Sequence, residues 1–386
     1  MGGLAGGEPS LLRRINSAAV LRALRDAGPS LSLSDLAREV GLSRPTVEGV
    51  LEGLARAGLV AETGSAGPAG ERRPGRPARR FRFRAEAGLV LGAEVGARRV
   101  SAILADLGGA RLGGAAREVP TGADADERLD QLAEVAAGLL RESGAEPGAL
   151  RAVGVGSPGI VGQDGTVRLC TALPGWTGLP LAARLRARFG CEVLVENDAN
   201  AAVLGERWSG AAAGSQDVVM VLAGLSPGAG SLIGGRLHRG FGGAAGEIGA
   251  LHLLGRQAAP ERLLAISGEP LEPLDEQAVA AVFARARAGE PPAADAVRRF
   301  VQRLVHDVTA LVLALDPELV VIGGWAAGLD GVVEPLRGEL ARYCLRTPRV
   351  VASTLGEAAV ATGALRLALD RVEEELFAVE GRVTPR

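Results

Sequence analysis

Asp198 lies in the stretch VENDANAA, at the start of the run DANAAVLGERW, which predicts a helix. A carboxylate in the first turn of a helix lies near the positive end of the helix dipole, which favours its ionised, proton-accepting form. The same position also suits a residue that only caps the helix, and this is the commoner use of an aspartate before a helix. Asp198 is therefore either a helix cap or a proton acceptor in a cleft.

Two glycine-rich passages share one layout of strand, glycine-rich turn and strand. One begins at Leu89 (LVLGAEVGARRVSAILADLGG) and the other at Val218 (VVMVLAGLSPGAGSLIGGRL). A repeated hairpin of this kind is the layout of the actin-like phosphotransferase fold, whose two turns face each other across a cleft. We predict an α/β domain from residue 85 to residue 386, built of two ribonuclease-H-like lobes with a boundary near residue 200.

The first 84 residues show a different, helical pattern. Helices are predicted from Leu11 to Ala27 and from Leu33 to Val40, and Ser43 caps a third helix that runs until Gly58. The tight turn between the second and third helices makes a helix-turn-helix, whose third helix enters the DNA major groove. The residues expected to face the bases or phosphates are Ser43, Arg44, Thr46 and Glu48.

A basic segment rich in glycine and proline, GSAGPAGERRPGRPARR, separates two predicted strands after the third helix. Strand, basic loop and strand predict a wing, in which Arg73 and Arg76 reach a narrow minor groove while proline keeps the chain extended. Charge agrees, since residues 1–84 hold 14 arginines against 8 acids and the rest of the chain has a net charge of −8. The alternative is a three-helix bundle with a solvated charge run, but turn, cap and wing together favour a winged helix-turn-helix domain at residues 1–84.

The composition excludes several classes of protein. The chain has 386 residues, of which 47% are hydrophobic, and it contains no apolar run of eighteen residues and no signal-like start, so a cytoplasmic protein is expected. Its three cysteines, Cys170, Cys191 and Cys344, match neither a disulfide framework nor a zinc spacing. We expect no cofactor and no structural metal.

The motifs resemble, in order and over nearly the whole chain, those of the ROK family of repressors and sugar kinases. They are LSLSDLAREVGLSRPTV, LGAEVGARR, AVGVGSPGIV, VENDANAA, GAAGEIGA and LDPELVVIGG. The resemblance implies a sugar-kinase-like fold in which Asp198 is the base that accepts a proton from a sugar hydroxyl. It also implies that Asn197 and Glu247 bind sugar hydroxyls, and it matches Glu261 loosely to a further sugar ligand.

The departures from the family pattern fall on the nucleotide and zinc sites. The family's first phosphate turn runs Asp-x-Gly-Gly/Ala-Thr, whereas this chain has Glu94, Gly96 and Arg98 at the corresponding acid, glycine and threonine positions. In the second phosphate turn Ser226 replaces a glycine, while Gly228 and Gly230 remain to allow close backbone approach. The family's zinc-binding histidine corresponds to Ala250, and the stretch that follows it, LHLLGRQAAPERLLAISG, contains no cysteine.

The resemblance and its departures favour a transcriptional regulator of carbohydrate genes that binds duplex DNA as a homodimer or homotetramer. A sugar or sugar phosphate would be its effector. The first alternative is an ATP-dependent sugar kinase with an added DNA-binding domain, although displacement of the first-turn acid by one methylene works against phosphoryl transfer. The second alternative is a regulator whose sensor domain docks a partner protein.

Overall fold

The computed structural model describes residues 9–63, 79–120, 122–145, 147–224, 227–249, 260–266, 268–271, 275–324 and 333–377. The chain divides into two compact units. The first unit comprises Met1–Val90, Ala105–Arg111 and Leu369–Arg386, and the second comprises Leu91–Leu104 and Leu112–Ala368. No helix in the described ranges is long and apolar enough to cross a membrane.

The amino-terminal half of the chain begins with three helices and continues as an α/β sheet. Its helices are α1 (Pro9–Asp26), α2 (Leu33–Val40), α3 (Arg44–Arg56), α4 (Ala125–Glu142), α5 (Leu181–Phe189) and α6 (Asp198–Ser209). Its strands are β1 (Leu31–Ser32), β2 (Val60–Thr63), β3 (Arg80–Phe83), β4 (Leu89–Val95), β5 (Arg99–Asp106), β6 (Arg111–Glu118), β7 (Leu150–Ser157), β8 (Ile160–Val161), β9 (Val167–Leu169) and β10 (Glu192–Asn197).

The carboxy-terminal half supplies a second sheet and the two longest helices of the described residues. Its strands are β11 (Val218–Leu222), β12 (Gly228–Ile233), β13 (Arg236–Leu237), β14 (Leu319–Gly323) and β15 (Arg349–Ala352). Its helices are α7 (Pro260–Leu263), α8 (Glu276–Arg287), α9 (Pro291–Leu315), α10 (Val333–Tyr343) and α11 (Ala359–Phe377). The sequence prediction for α2 is confirmed residue for residue.

Local signals explain the helix-turn-helix of the first unit. The Ser32 hydroxyl accepts a hydrogen bond from the Asp35 N–H and donates one to the Asp35 carboxylate, which caps α2 at its start. Gly41 ends α2 with a φ of +66°, a conformation that an L side chain disfavours. Ser43 then accepts from the Thr46 N–H and caps α3. Along α3 one apolar stripe is buried, consisting of Val47, Val50, Leu51 and Leu54.

The strand–loop–strand prediction is confirmed by the pairing of β2 with β3, which runs antiparallel from Val60 opposite Phe83 to Thr63 opposite Arg80. Strand β1 adds to the other edge of β3, giving the sheet order β1-β3-β2. Phe81 and Phe83 alternate inward with exposed or half-buried arginines, as a strand with one covered face requires. The loop itself, with Arg73 and Arg76, lies outside the described residues.

Two five-stranded sheets form the frame of the second unit, in the orders β10-β7-β4-β5-β6 and β13-β12-β11-β14-β15. Each sheet contains parallel pairs, β10 with β7 in the first and β11, β14 and β15 in the second. Strands β11 and β14 are almost continuous apolar runs, since parallel strands between helices are covered on both faces. The duplicated α/β architecture predicted from the sequence is confirmed, with a hairpin beginning each sheet.

Candidate functional site

Asp198 is the first residue of α6, directly after β10. Burial raises the pKa of Asp198, the negative charges of Glu94 and Glu247 add to the rise, and the N–H of Ala199 lowers it, so that the pKa is about 7. That N–H donates to Oδ1 over 2.8 Å. The helix-dipole argument for a readily ionised carboxylate was therefore wrong, because burial outweighs the helix N-terminus.

Asn197, rather than Asp198, caps α6. Its Oδ1 accepts the N–H of Asn200 over 3.1 Å, and its Nδ2 donates to the carbonyl of Gly159 over 3.1 Å. The amide side chain is thus held at both ends, and among the described contacts one N–H and one lone pair are left for a ligand. The prediction that Asp198 caps α6 is therefore wrong, and its carboxylate is available to interact with other groups.

Three carboxylates share this region of the second unit. Glu94 comes from the end of β4, Asp198 from the start of α6, and Glu247 from the segment after β13. Burial raises the pKa of all three, and the charges of Glu94 and Glu247 both act on Asp198. Cys170 lies near enough that Asp198 and Glu247 raise the pKa of its thiol, after burial itself. These three acids are half-buried, and their carboxylates can accept hydrogen bonds from a polyol.

Glu196 fixes the turn that presents Asp198. Its Oε1 accepts from the Asn197 N–H and from the Asn200 side chain over 3.0 and 2.9 Å. Its Oε2 accepts from the Arg239 guanidinium over 2.6 Å. Since Arg239 begins the segment that leads to Glu247, this buried carboxylate ties that segment to the Asn197–Asp198 turn. Sequence patterns gave no signal for the pair.

Arginine side chains of this chain bind the turn between β4 and β5, which was matched to the family's first phosphate turn. The Arg99 guanidinium pairs with Glu94 over 3.2 Å, and the Ser101 hydroxyl donates to the same carboxylate over 3.1 Å. The buried Arg128 donates to the carbonyls of Gly96 and Ala97 over 3.0 and 2.9 Å. Arg98, the predicted site residue, contributes its carbonyl to Val119. The neighbour Arg99 was missed, although alternation along β5 places it on the same face as Ser101.

Gly228 and Gly230 belong to strand β12 and not to a turn. A Cβ on Gly230 would overlap the carbonyl oxygen of Ala199, so the close approach made possible by this glycine is to the first turn of α6. A Cβ on Gly228 would meet Ala199 at 3.5 Å, an ordinary contact. These glycines were predicted to allow a phosphate to approach the backbone. Beside Gly230, the group that approaches is instead the first turn of α6.

Glu261 stands apart from the acid cluster in the contacts that the structure describes. It lies in the short helix α7, and its carbonyl accepts from the N–H of Leu271. The stretch 250–259, where the family's zinc ligands would fall, lies outside the described residues. The described residues hold no group of three or more His, Cys, Asp or Glu side chains able to bind a metal ion. The absence of zinc stays a prediction from the sequence.

The start of α3 presents three exposed side chains of the predicted DNA-binding set, Ser43, Arg44 and Glu48, while Thr46 is half-buried. The Ser43 and Thr46 hydroxyls share a hydrogen bond of 2.8 Å, which supports the cap. Arg79, directly after the basic loop, pairs with Glu62 over 2.9 Å and with Glu48 over 3.1 Å. Glu48 is thus partly neutralised by an arginine that the sequence did not single out.

Comparison with known proteins places these features in a family. Residues 90–371 match the model of the ROK family, and residues 16–64 match the IclR helix-turn-helix domain. The xylose repressor of Caldicellulosiruptor bescii is 26% identical over 347 residues, which cover 83% of this chain and 86% of that protein.

Two solved structures are similar as well. A ROK family transcriptional regulator, a homologue of the E. coli MLC protein, has a TM-score of 0.70 at 22% identity and covers 96% of this chain and 100% of its own, a likeness of fold. A ROK family glucokinase from Streptomyces griseus, solved with glucose and AMPPNP, has a TM-score of 0.60 at 26% identity, covering 73% of this chain and 100% of its own. Since the family model spans well over half of the chain, this protein belongs to the ROK family and carries an IclR-type helix-turn-helix domain before the family fold.

Proposed function

We propose that this chain is a DNA-binding transcriptional repressor of carbohydrate genes and that a sugar bound at the Asp198 cluster controls it. The observation that carries the proposal is the helix-turn-helix domain at residues 16–64, placed before a sugar-kinase-like domain whose first-turn acid, Glu94, is paired with Arg99. An acid that is already neutralised by an arginine is poorly placed to position a metal-bound phosphate. The similarity to a xylose repressor supports the same conclusion.

The effector we propose is an uncharged sugar, with D-xylose as the first candidate and D-glucose as the second. Hydroxyl donors satisfy the acceptors that Asp198 and Glu247 offer, whereas a phosphate would add negative charge beside carboxylates that already repel each other. Glu261, placed in α7, is retained only as a loosely matched further ligand. The remaining N–H of the Asn197 amide would contribute one more hydrogen bond.

The DNA half of the proposal uses α3 and the basic loop of two copies of the chain. Two copies related by a two-fold axis would place two α3 helices on the half-sites of a palindromic operator. Arg44 would bind bases or phosphates in the major groove, and Arg73 and Arg76 the minor groove. A homodimer is the smallest assembly that meets this requirement.

The test begins with genomic fragments that the purified protein retains, from which an operator duplex is chosen. Arg44→Ala and Arg76→Ala should each weaken operator binding by about 1–3 kcal/mol, and Arg76→Ala most at sites flanked by A·T tracts. Arg111→Ala, which changes an exposed arginine far from α3 in sequence, is the matched control. Equal affinity of all four proteins would remove α3 and the loop from the DNA-binding surface.

The effector test titrates D-xylose, D-glucose and their phosphates against operator affinity, using wild type and Asp198→Asn side by side. The wild-type protein should release DNA with a free sugar, and Asp198→Asn should lose about ten- to a hundredfold in sugar affinity while binding sugar-free operator normally. A variant that responds like wild type would show that the effector does not use this carboxylate.

A sugar kinase is the second candidate function. The likeness to the glucokinase solved with glucose and AMPPNP favours it, and so does a pKa of about 7 at Asp198, which suits a general base near neutral pH. A coupled assay of ATP consumption over the same sugars separates the two functions. Sustained sugar-dependent turnover would replace the repressor proposal with a kinase that also binds DNA.

A further inference from the structure

Helix α11 is divided between the two units of the chain. Its first ten residues, Ala359–Ala368, belong to the second unit, and its last nine, Leu369–Phe377, belong to the first. Three sets of contacts, at its front, its middle and its end, hold this one helix. Each set lies within a single unit.

In the middle, α11 packs backbone to backbone against α6, the helix that begins with Asp198. A Cβ on Gly363 would overlap the Ala201 carbonyl oxygen, and a Cβ on Gly205 would overlap the carbonyl of Ala359. Farther along, the Arg366 guanidinium lies over the Trp208 ring, 5.3 Å from its centroid. With no side chains between the two backbones, a displacement of α6 requires a displacement of α11, because close-packed interiors transmit strain.

At the front, Arg99 connects the acid cluster to the turn before α11. Its guanidinium pairs with Glu94 and with the Glu357 carboxylate, and it also donates to the Glu357 carbonyl over 2.6 Å. Glu357 lies two residues before α11 begins. Glu94 in turn acts electrostatically on Asp198. A ligand that changes the charges of Glu94 and Asp198 would therefore change the pairing of Arg99 with Glu357, which holds the start of α11.

At its end, α11 packs against α1 within the first unit. The carbonyl of Phe377 accepts from Arg22 over 3.3 Å, and the guanidinium groups of Arg22 and Arg25 lie 5.3 and 4.8 Å from the centre of the Phe377 ring. Arg25 also pairs with Glu373 over 3.2 Å. Phe377 is buried, so the last turn of α11 is a part of the core on which α1 rests.

We propose that α11 is the element through which occupancy of the Asp198 cluster alters the helix-turn-helix unit. This rests on the proposed function. Sugar binding at Asp198 shifts α6 or redistributes Arg99 between Glu94 and Glu357, α11 follows, and the contact of Phe377 and Glu373 with α1 changes. By reciprocity, operator binding changes sugar affinity by the same factor, which for such couplings is about 5- to 150-fold.

The first experiment compares Glu373→Ala with Glu374→Ala. The two glutamates are neighbours on α11, but Glu373 pairs with Arg25, whereas Glu374 is exposed and faces Arg371 of its own helix at 3.9 Å. We expect Glu373→Ala to keep its sugar-free operator affinity and its D-xylose affinity within threefold of wild type, while the D-xylose-induced loss of operator affinity falls at least fivefold. Glu374→Ala should respond like wild type. An unchanged response in Glu373→Ala would overturn the proposal.

The second experiment needs no sugar, so it remains decisive if neither D-xylose nor D-glucose acts on the wild-type protein and the proposed effector fails. Gly205→Ala places a methyl group in the contact between α6 and α11, while Gly138→Ala adds the same group to α4, where the nearest atom is 4.0 Å away. Amide hydrogen exchange is measured on both variants of the full chain. Exchange in α1 and the last turn of α11 should rise severalfold in Gly205→Ala alone.

Glu357→Ala supplies a non-steric change at the front of α11, in case Gly205→Ala fails to fold. It removes an exposed carboxylate that only Arg99 contacts among the side chains of the described residues. The same rise in exchange at α1 is expected. Exchange confined to the surroundings of the substituted residue would show that α11 does not couple the two units, whatever the sugar response.

Discussion

The two glycine-containing hairpins of the second unit share one layout, but different interactions hold them in place. The β4–β5 hairpin is held by charge, with Glu94 between Arg99 and Ser101 and with Arg128 bound to the carbonyls of its turn. The β11–β12 hairpin is held by contact, because Gly230 lets β12 pass against the first turn of α6. The two hairpins therefore share a topology, but different interactions hold the described parts of each.

This difference gives each hairpin a separate relation to Asp198. The β4–β5 hairpin sets the electrostatic environment of the carboxylate, since Glu94 raises its pKa and Arg99 offsets the charge of Glu94. The β11–β12 hairpin sets its position, since β12 supports the turn of α6 on which Asp198 lies. Substitutions in the β4–β5 hairpin should change the pKa of Asp198, and substitutions in the β11–β12 hairpin should change the free energy of unfolding.

The largest effect is expected from Gly230→Ala. The added methyl group would overlap the Ala199 carbonyl, and neither backbone can move without disturbing a sheet or the start of α6. We expect a loss of about 3 kcal/mol in the free energy of unfolding, measured by urea denaturation. Gly228→Ala on the same strand is the control, because its methyl group would make an ordinary contact, and it should cost less than about 1 kcal/mol. Equal losses in the two variants would contradict a positional role for Gly230.

The pH dependence of sugar affinity is the next effect in size. A sugar hydroxyl donates a stronger, charge-assisted hydrogen bond to Asp198 when the carboxylate is ionised, and the pKa of this carboxylate is about 7. The D-xylose association constant should therefore rise by about tenfold from pH 5.5 to pH 7 and level off above pH 8. Isothermal titration calorimetry measures it, and a flat profile in wild type would show that the bound sugar does not depend on this ionisation.

The free energy of unfolding should fall as the pH rises, whereas sugar affinity should increase. Because the folded-state pKa of Asp198 lies above the unfolded value of 3.8, the protonated carboxyl stabilises the fold below about pH 4, and this contribution is lost as pH rises through 7. In Asp198→Asn this part of the pH dependence should be absent. An identical fall in the free energy of unfolding for both proteins would assign it to another group.

The helix-turn-helix could be predicted to within a residue or two because its signals are local. Ser32 and Asp35 are three residues apart, and Gly41 ends α2 through its own φ. Each residue does what it would do in any chain with the same neighbours. Phe81 and Phe83, which alternate with arginines along β3, are a local strand signal of the same kind.

The acid cluster could be predicted only in part, because its environment depends on residues far apart in sequence. The motifs indicated Glu94, Asp198 and Glu247, but burial and mutual repulsion, which reverse the expected ease of ionising Asp198, exist only in the folded chain. Arg99 meets Glu357 across 258 positions of sequence, and no local pattern marks such a pair. Gly230 indicated a close approach, yet the sequence could not say that the approaching group is Ala199.

The smallest expected effect distinguishes the two adjacent arginines of the β4–β5 hairpin. Arg99 pairs with Glu94, whereas the described contact of Arg98 is made by its carbonyl. Arg99→Ala leaves Glu94 without its cation, so that the proton affinities of Glu94 and Asp198 both increase. The midpoint of the D-xylose affinity profile should then move upward by about half a pH unit to one unit, equivalent to about 0.7–1.4 kcal/mol. Arg98→Ala, which removes the same formal charge one residue earlier, should move it by less than about 0.2 unit, since the described ion pair of Glu94 is made with Arg99 and the half-buried Arg98 acts on Glu94 through a screened, longer-range interaction. If both variants shift the midpoint equally, the hairpin acts through its net charge alone, and the contrast between a hairpin held by charge and a hairpin held by contact loses its electrostatic half.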